Sequence, residues 1–317
     1  MKNAIFGATG GVGKELAKLL AAEKVEFRVV GRSEEKLRRE FAEHEPYVEY
    51  CAADLGKPKD AARAAEGVDT VFYLVGQPYT EFAKHPVVTA VCLKACADAG
   101  VRHFVLQGTL YPYGRRQAGR ISEDHPREPH TFKGQMRKKQ EDLVIAAHSD
   151  GGMKTTILCA PDFYGGVSEL SHTYRIFDAA IKGGNGDVIG PLDVPHEFVY
   201  VPDLADTLLK LSRNEQAYGK RWNLAGVGLI TFREFAEKVF ALKGRKPKLR
   251  SAGKFMLRLI GILNPIMREF VEMHYLMTEP LYVDDARLRA LLPDAKKTSY
   301  DEGIKATLDM FARHEKK

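Results

Sequence analysis

Cysteine is scarce: 317 residues contain four, Cys51, Cys92, Cys96 and Cys159, and none forms a CxxC pair. That excludes a disulfide-stapled scaffold, and the four read as reduced, mostly buried small apolar residues. Cys92 and Cys96 share a helix face, but no His or carboxylate follows at zinc spacing. His44, His125, His130 and His148 sit in polar stretches, so no metal is expected. Long apolar runs are missing too. The most apolar stretch, Phe255 to Met267, is interrupted by Arg258, Asn264 and Pro265, short of the roughly 18–20 residues that span a bilayer. Charge of one sign is not concentrated: 48 Lys and Arg against 42 Asp and Glu leave +6, less than nucleic-acid binders gather but suited to an anionic small ligand. With 28 Gly and 15 Pro, collagen-like and disordered classes are excluded.

What is present is enough apolar material, 44% of residues, for a packed core. The length fits two domains or one large α/β domain with an added lobe. Short β-branched or aromatic runs at Asn3–Phe6, Glu26–Val30, Val48–Cys51, Thr70–Val75, His103–Leu106 and Thr155–Leu158 alternate with helical patterns. This alternation predicts an α/β fold, a doubly wound parallel sheet with right-handed crossovers. A strand starting at residue 2 leaves no room for a charged leader and apolar signal core, so a cytoplasmic location is expected. After Pro161 the pattern loosens into what reads as loop and lid. It recovers at Phe198–Val201, with a helix from Asp203 to about Leu211, a strand candidate at Trp222–Leu224, and helices around Thr231–Leu242, Lys254–Leu263 and Ile266–Met277.

Gly7-Ala8-Thr9-Gly10-Gly11-Val12-Gly13 follows the first strand and opens the first helix. Glycines without Cβ atoms let a pyrophosphate approach, and N–H groups at the helix start, aided by the helix dipole, bind its charge. Dinucleotide binding through Gly7, Thr9, Gly10, Gly11, Val12 and Gly13 is expected. About twenty residues on, where a carboxylate would hold the 2′-hydroxyl of NAD, the second strand ends in Val29-Val30-Gly31-Arg32-Ser33. Arg32, with Ser33 beside it, suits a 2′-phosphate, so the expected cofactor is NADP rather than NAD.

In these segments and others, the chain resembles the extended and atypical branch of the short-chain dehydrogenase/reductase superfamily, the epimerase/dehydratase-like members, over nearly its whole length. Asp54-Leu55 resembles the family's adenine contact and Leu74-Val75-Gly76 the strand end lying along the cofactor. His196-Glu197-Phe198-Val199-Tyr200-Val201-Pro202-Asp203-Leu204-Ala205 and Trp222-Asn223-Leu224-Ala225-Gly226 resemble its late segments. The resemblance implies a Rossmann domain of residues 1–165 that also receives 197–226, and a smaller, mainly helical substrate lobe of 166–196 and 227–317. It also implies a Ser or Thr with a YxxxK pair, in which the cation lowers the phenol pKa.

Leu106 to Gly114 resembles the fifth-strand segment and puts Thr109 at the hydroxyl position. The helix that should carry YxxxK, however, reads Phe132-Lys133-Gly134-Gln135-Met136-Arg137-Lys138-Lys139-Gln140-Glu141. Lys133 replaces the tyrosine and Arg137 the lysine. Two readings follow. In one, Lys133 is the acid/base and also contacts the cofactor, as in isoflavone-reductase-like reductases, with Arg137 one turn away pushing it toward neutrality. In the other the pair is lost and the fold binds NADP without turnover, like NmrA-type regulators. Tyr111 is a further phenol candidate for catalysis, and Tyr113 for substrate contact.

Asp162, Phe163 and Tyr164 stand where sugar-nucleotide members contact substrate. A carboxylate at Asp162 argues against a diphosphate. Phe255, Met256, Leu257, Ile260, Ile262, Leu263, Met267, Phe270, Met273 and Met277 form either packing core or an adaptable apolar pocket. The cluster Lys243, Arg245, Lys246, Lys248 and Arg250 reads as a solvated turn. The expectation is an NADP-dependent oxidoreductase acting on a small, fairly apolar carbonyl or alcohol, with an epimerase/dehydratase or an NADP-binding regulator as alternatives. The expected partner is a small-molecule substrate, with no nucleic acid and no membrane. By analogy with related folds, a homodimer would form through helices flanking the fourth and fifth strands.

Overall fold

The computed structural model describes residues 2–117, 119–149, 151–167 and 171–314. Strand and helix alternate in the first half: β1 Asn3–Phe6, α1 Gly11–Ala22, β2 Phe27–Gly31, α2 Glu34–Phe41, β3 Val48–Ala52, α3 Pro58–Ala65, β4 Thr70–Tyr73, α4 Lys84–Asp98, β5 His103–Gln107, α5 Phe132–Ala146 and β6 Lys154–Cys159. Then follow β7 Phe163–Tyr164, α6 Tyr174–Lys182, β8 Gly186–Ile189, β9 Pro195–Glu197, β10 Val199–Tyr200, α7 Val201–Ser212, β11 Lys220–Asn223, β12 Leu229–Thr231, α8 Phe232–Ala241 and β13 Leu249–Ala252. The chain ends in α9 Lys254–Gly261, α10 Pro265–Met273, α11 Tyr275–Thr278, α12 Ala286–Leu291 and α13 Tyr300–His314.

Seven strands form a parallel sheet in the order β11-β6-β5-β4-β1-β2-β3. β1 and β4 are buried at every position because helices cover both faces, so neither strand alternates between exposed and buried residues. One face packs α3, α4 and α5 through Ala61, Ala64, Cys92, Cys96 and Val144, the other α1, α2 and α7 through Leu16, Leu20, Leu37, Leu204 and Leu208. A third cluster, with Phe177, Phe198, Phe235 and Phe311, builds the C-terminal lobe. All four cysteines are buried and unpaired.

The chain reverses direction across the sheet at β1, whose Phe6 pairs with Val30 on one side and Tyr73 on the other. Such a switch point opens a crevice beyond the strand ends, where open α/β sheets bind ligands. The segment read as loop and lid after Pro161 holds regular structure instead. Ile176, Phe177, Ala179 and Ala180 form the buried stripe of the amphipathic helix α6, and β8 pairs in parallel with β13. No helix among the described residues is long and apolar enough to cross a membrane.

Candidate functional site

The turn from β1 to α1 explains its glycines. Gly7 has φ +83°, and a Cβ there would stand 2.9 Å from the Leu74 carbonyl oxygen; one on Gly13 would stand 2.4 Å from that of Ala8. Gly10 occupies the N-cap of α1 without a side-chain cap, and no acidic residue lies in the first turn. The first helical N–H groups therefore remain available for an anion.

In front of this turn lies a groove of about 750 Å³. Gly7, Thr9, Gly10, Gly11, Val12 and Gly13 line it, together with Arg32 beyond β2, Asp54 and Leu55 beyond β3, and Val75 and Gly76 beyond β4. A cradle that admits no Cβ, a free helix start and a cation at the far end fit an elongated dinucleotide. The Arg32 guanidinium forms no ion pair or hydrogen bond among the described residues. Two expected cofactor residues lie elsewhere. Ser33 caps α2, its Oγ accepting from the Lys36 N–H at 3.2 Å, because the chain must start a helix immediately after the arginine. Lys133 is outside the groove altogether.

Lys133 is corrected more fundamentally. It is only 1% exposed, and its Nζ donates to Glu269 Oε2 at 2.5 Å and Glu272 Oε2 at 2.8 Å, both on α10. Its backbone N–H donates to Glu272 Oε1 at 3.0 Å. Helical spacing sets Arg137 one turn from Lys133, but the two carboxylates arrive from 136 and 139 residues away and leave no local mark. The side chain ties α10 to α5 rather than facing the reaction space.

A second cavity of about 280 Å³ adjoins the groove, sharing Leu74, Val75, Gly76, Gln77, Gln107 and Phe163 with it. Thr109, Tyr111, Arg137 and Asp162 line this cavity. Arg137 projects from α5 to the end of β5: Nη2 donates to the Gln107 carbonyl and Nη1 to His85 Nδ1, each at 3.1 Å. Since a guanidinium only donates, His85 must accept at Nδ1 and is neutral there. Burial, then the neighbouring Arg137 charge, pushes the His85 pKa down to about 2. The Nε of Arg137 is buried without an acceptor. Tyr111 Oη lies 2.7 Å from Tyr79 Oη. Burial raises the pKa of Tyr79 to about 12 and that of Tyr111 well above its ordinary value, so both stay protonated near neutrality.

Two expected substrate contacts fall outside this cavity. Tyr113 is fully buried and donates to Asn223 Oδ1 at 2.8 Å, closing the core beneath β5. Tyr164 borders the larger groove and packs among Tyr200, Phe235 and Tyr300. Phe163 touches both spaces. Asp162 Oδ1 lies 3.9 Å from His172 Nε2. The sequence reading did not single out Tyr79, His85, His172, His196 or Glu197 as cavity residues. His196-Glu197 stood in a noted segment, but nothing local marks His196 as pocket-facing; its Nε2 is buried without a partner and burial lowers its pKa to about 4.

A family model described as NAD(P)H-binding matches residues 7–185, more than half of the chain and all of the glycine turn. The chain belongs to this NAD(P)H-binding family. Among curated proteins, a probable dTDP-4,6-dihydroxy-2-methyloxan-3-one 4-ketoreductase of Streptomyces antibioticus is 24% identical over 258 residues, 78% of this chain and 79% of that protein. An NAD(P)H azoreductase of Xenophilus azovorans is 33% identical over 103 residues, 32% of this chain and 33% of that one. The fold is shared with solved epimerase and dehydratase structures. UDP-glucuronic acid 4-epimerase of Bacillus cereus superposes with TM-score 0.81 over 99% of both chains at 17% identity. dTDP-glucose 4,6-dehydratase of Bacillus anthracis does so at 0.83 over 100% of this chain and 98% of that one, at 12% identity. In this NAD(P)H-binding protein Lys133 is bound between two carboxylates of α10, and Thr109, Tyr111 and Arg137 are among the polar groups brought to the small cavity.

Proposed function

We propose that this protein is a cytoplasmic NADP(H)-dependent oxidoreductase acting on a small, mainly apolar carbonyl or alcohol. One observation carries the reading: the Arg137 guanidinium, together with Thr109 and Tyr111, lines a small cavity that opens onto the dinucleotide groove. Such a donor suits an oxygen that gains negative charge during reaction. At about 280 Å³ the cavity is at the low end of small-molecule sites. Leu74, Phe82, Leu110, Leu276 and Leu281 supply apolar walls.

The bound nicotinamide supplies or accepts the hydride. Thr109 orients the substrate oxygen, the protonated Tyr111 gives its proton to that oxygen during reduction, and Arg137 stabilises the negative charge. Tyr79 holds the Tyr111 hydroxyl in place. Arg32 selects the 2′-phosphate. The relative named as a probable 4-ketoreductase supports carbonyl reduction over other reactions of this fold.

The test is a parallel titration with NADPH and NADH, followed by a panel of small ketones and aldehydes monitored by NADPH absorbance. Preferred NADPH binding with turnover that Tyr111→Phe abolishes supports the proposal. Substrate conversion without net NADPH oxidation would assign an epimerase or dehydratase. Tight cofactor binding without conversion of any panel member would assign the regulatory reading.

A further inference from the structure

The ten apolar residues of the C-terminal helices do not all form core or pocket. Leu257, Phe270, Met273 and Met277 are buried, but the α9–α10 hairpin turns the rest outward. At its tip Ile262 is 77% and Leu263 92% exposed; Phe255 is 73% exposed, and Met256, Leu259, Ile260 and Ile266 are also open to solvent. Monomeric proteins seldom leave so continuous an apolar patch uncovered. The hairpin is not loosely folded. A Cβ on Gly261 would meet the Arg268 backbone at 2.9 Å, so the two helices touch there. Asn264 Oδ1 caps α10 by accepting from the N–H groups of Ile266 and Met267, and Phe270 stacks on Tyr79 with centroids 4.8 Å apart.

Charge identifies what covers this face. From Lys238 to Arg268, 31 residues hold nine Lys and Arg and no Asp or Glu, whereas the remainder of the chain is net −3. Lys243, Lys246, Lys248, Lys254, Arg258 and Arg268 are exposed, and among the described residues none has an ion-pair partner. Apolar side chains projecting from this hairpin, with Lys254, Arg258 and Arg268 on the same two helices and Lys243, Lys246 and Lys248 in the segment leading into them, are complementary to a surface that is apolar inside and anionic outside. A second copy of the same patch would instead oppose cation to cation. We infer that the α9–α10 hairpin docks this protein on an anionic lipid bilayer surface, with the tip side chains inserted among acyl chains and the flanking Lys and Arg on lipid phosphates. The helices are too short to span, so the protein lies on the membrane, which replaces the expectation of no membrane partner.

The test is flotation of the full-length protein with vesicles of phosphatidylcholine alone or with one-third phosphatidylglycerol. The parent should partition at least about tenfold more strongly to the anionic vesicles, and less strongly as salt is raised. Leu263→Asp, and separately Lys246→Glu with Lys248→Glu, should each weaken partition by about tenfold or more while NADPH binding and the circular dichroism spectrum stay unchanged. All these residues are exposed, so folding does not depend on them. Absence of parent flotation, or equal flotation of Leu263→Asp, overturns the inference. So does self-association of the parent in sedimentation velocity that Leu263→Asp abolishes without any vesicle binding, since the face would then join copies of the chain.

Discussion

Replacing Arg137 by Met separates the proposed chemistry from architecture. The methionine keeps much of the stem volume but removes the charge and the unmatched Nε donor. Loss of one preorganised donor to a developing oxyanion lowers kcat/KM by roughly 10²–10³, or about 2.7–4 kcal/mol. Stability falls as well. Two hydrogen bonds, to His85 and to the Gln107 carbonyl, disappear, costing about 1–3 kcal/mol for each partner left unsatisfied, partly offset because a buried cation no longer has to be desolvated. Arg137 does not line the dinucleotide groove, so NADPH affinity should stay within about threefold of the parent. The assay is steady-state NADPH oxidation with the best carbonyl of a panel, alongside NADPH titration and urea unfolding of the same preparations. A kcat/KM within about threefold of the parent, with cofactor affinity and fold intact, refutes the role given to Arg137.

Gly13→Ala would drive its methyl group into the Ala8 carbonyl at 2.4 Å, forcing the turn open; NADPH binding by calorimetry should weaken more than about tenfold. Arg32→Ala should weaken NADPH by about tenfold or more and leave NADH unchanged in competition titrations; equal losses for both cofactors would remove the 2′-phosphate argument. Lys133→Met leaves Glu269 and Glu272 facing each other without their shared cation. Its unfolding free energy from urea titration should therefore fall, by up to about 3–5 kcal/mol, while kcat of the folded fraction changes little, the reverse of a catalytic lysine. Burial lowers the pKa of His103 to about 4 and that of His196 to about 4, below their unfolded values. The unfolded chain thus binds more protons, and stability present above about pH 6.5 declines toward pH 4 at up to about 1.4 kcal/mol per pH unit for each histidine. Unfolding at about pH 7 and about pH 5 measures the slope, which His103→Gln should reduce.

The parallel sheet and the glycine turn were legible because both are local. Strand-forming runs such as Thr70–Tyr73 declare themselves by composition, and the approach of Gly13 to Ala8 stays within the turn, although the carbonyl that Gly7 must clear, that of Leu74, comes from beyond β4. The exchange of YxxxK for Lys133 and Arg137 was equally visible. Their roles were not, since helical spacing places two side chains on one face without saying what meets each of them. α10 brings two carboxylates to the first; β5 and His85 turn the second toward the cavity. Helix α6 was missed because Gly183 to Gly186 and the prolines beyond it dominated the reading of that segment.

By itself the sequence determined the doubly wound class and the dinucleotide turn, each a matter of residue type at short spacing. Tertiary structure alone decided that Lys133 is a tie between helices, that Tyr113 belongs to the core, and that the small cavity gathers Tyr79, His85, Tyr111, Arg137 and His196 from separate elements. It also decided which apolar residues of α9 and α10 face water. A helix apolar on several sides carries no local mark distinguishing core from surface; only the elements packed against it do.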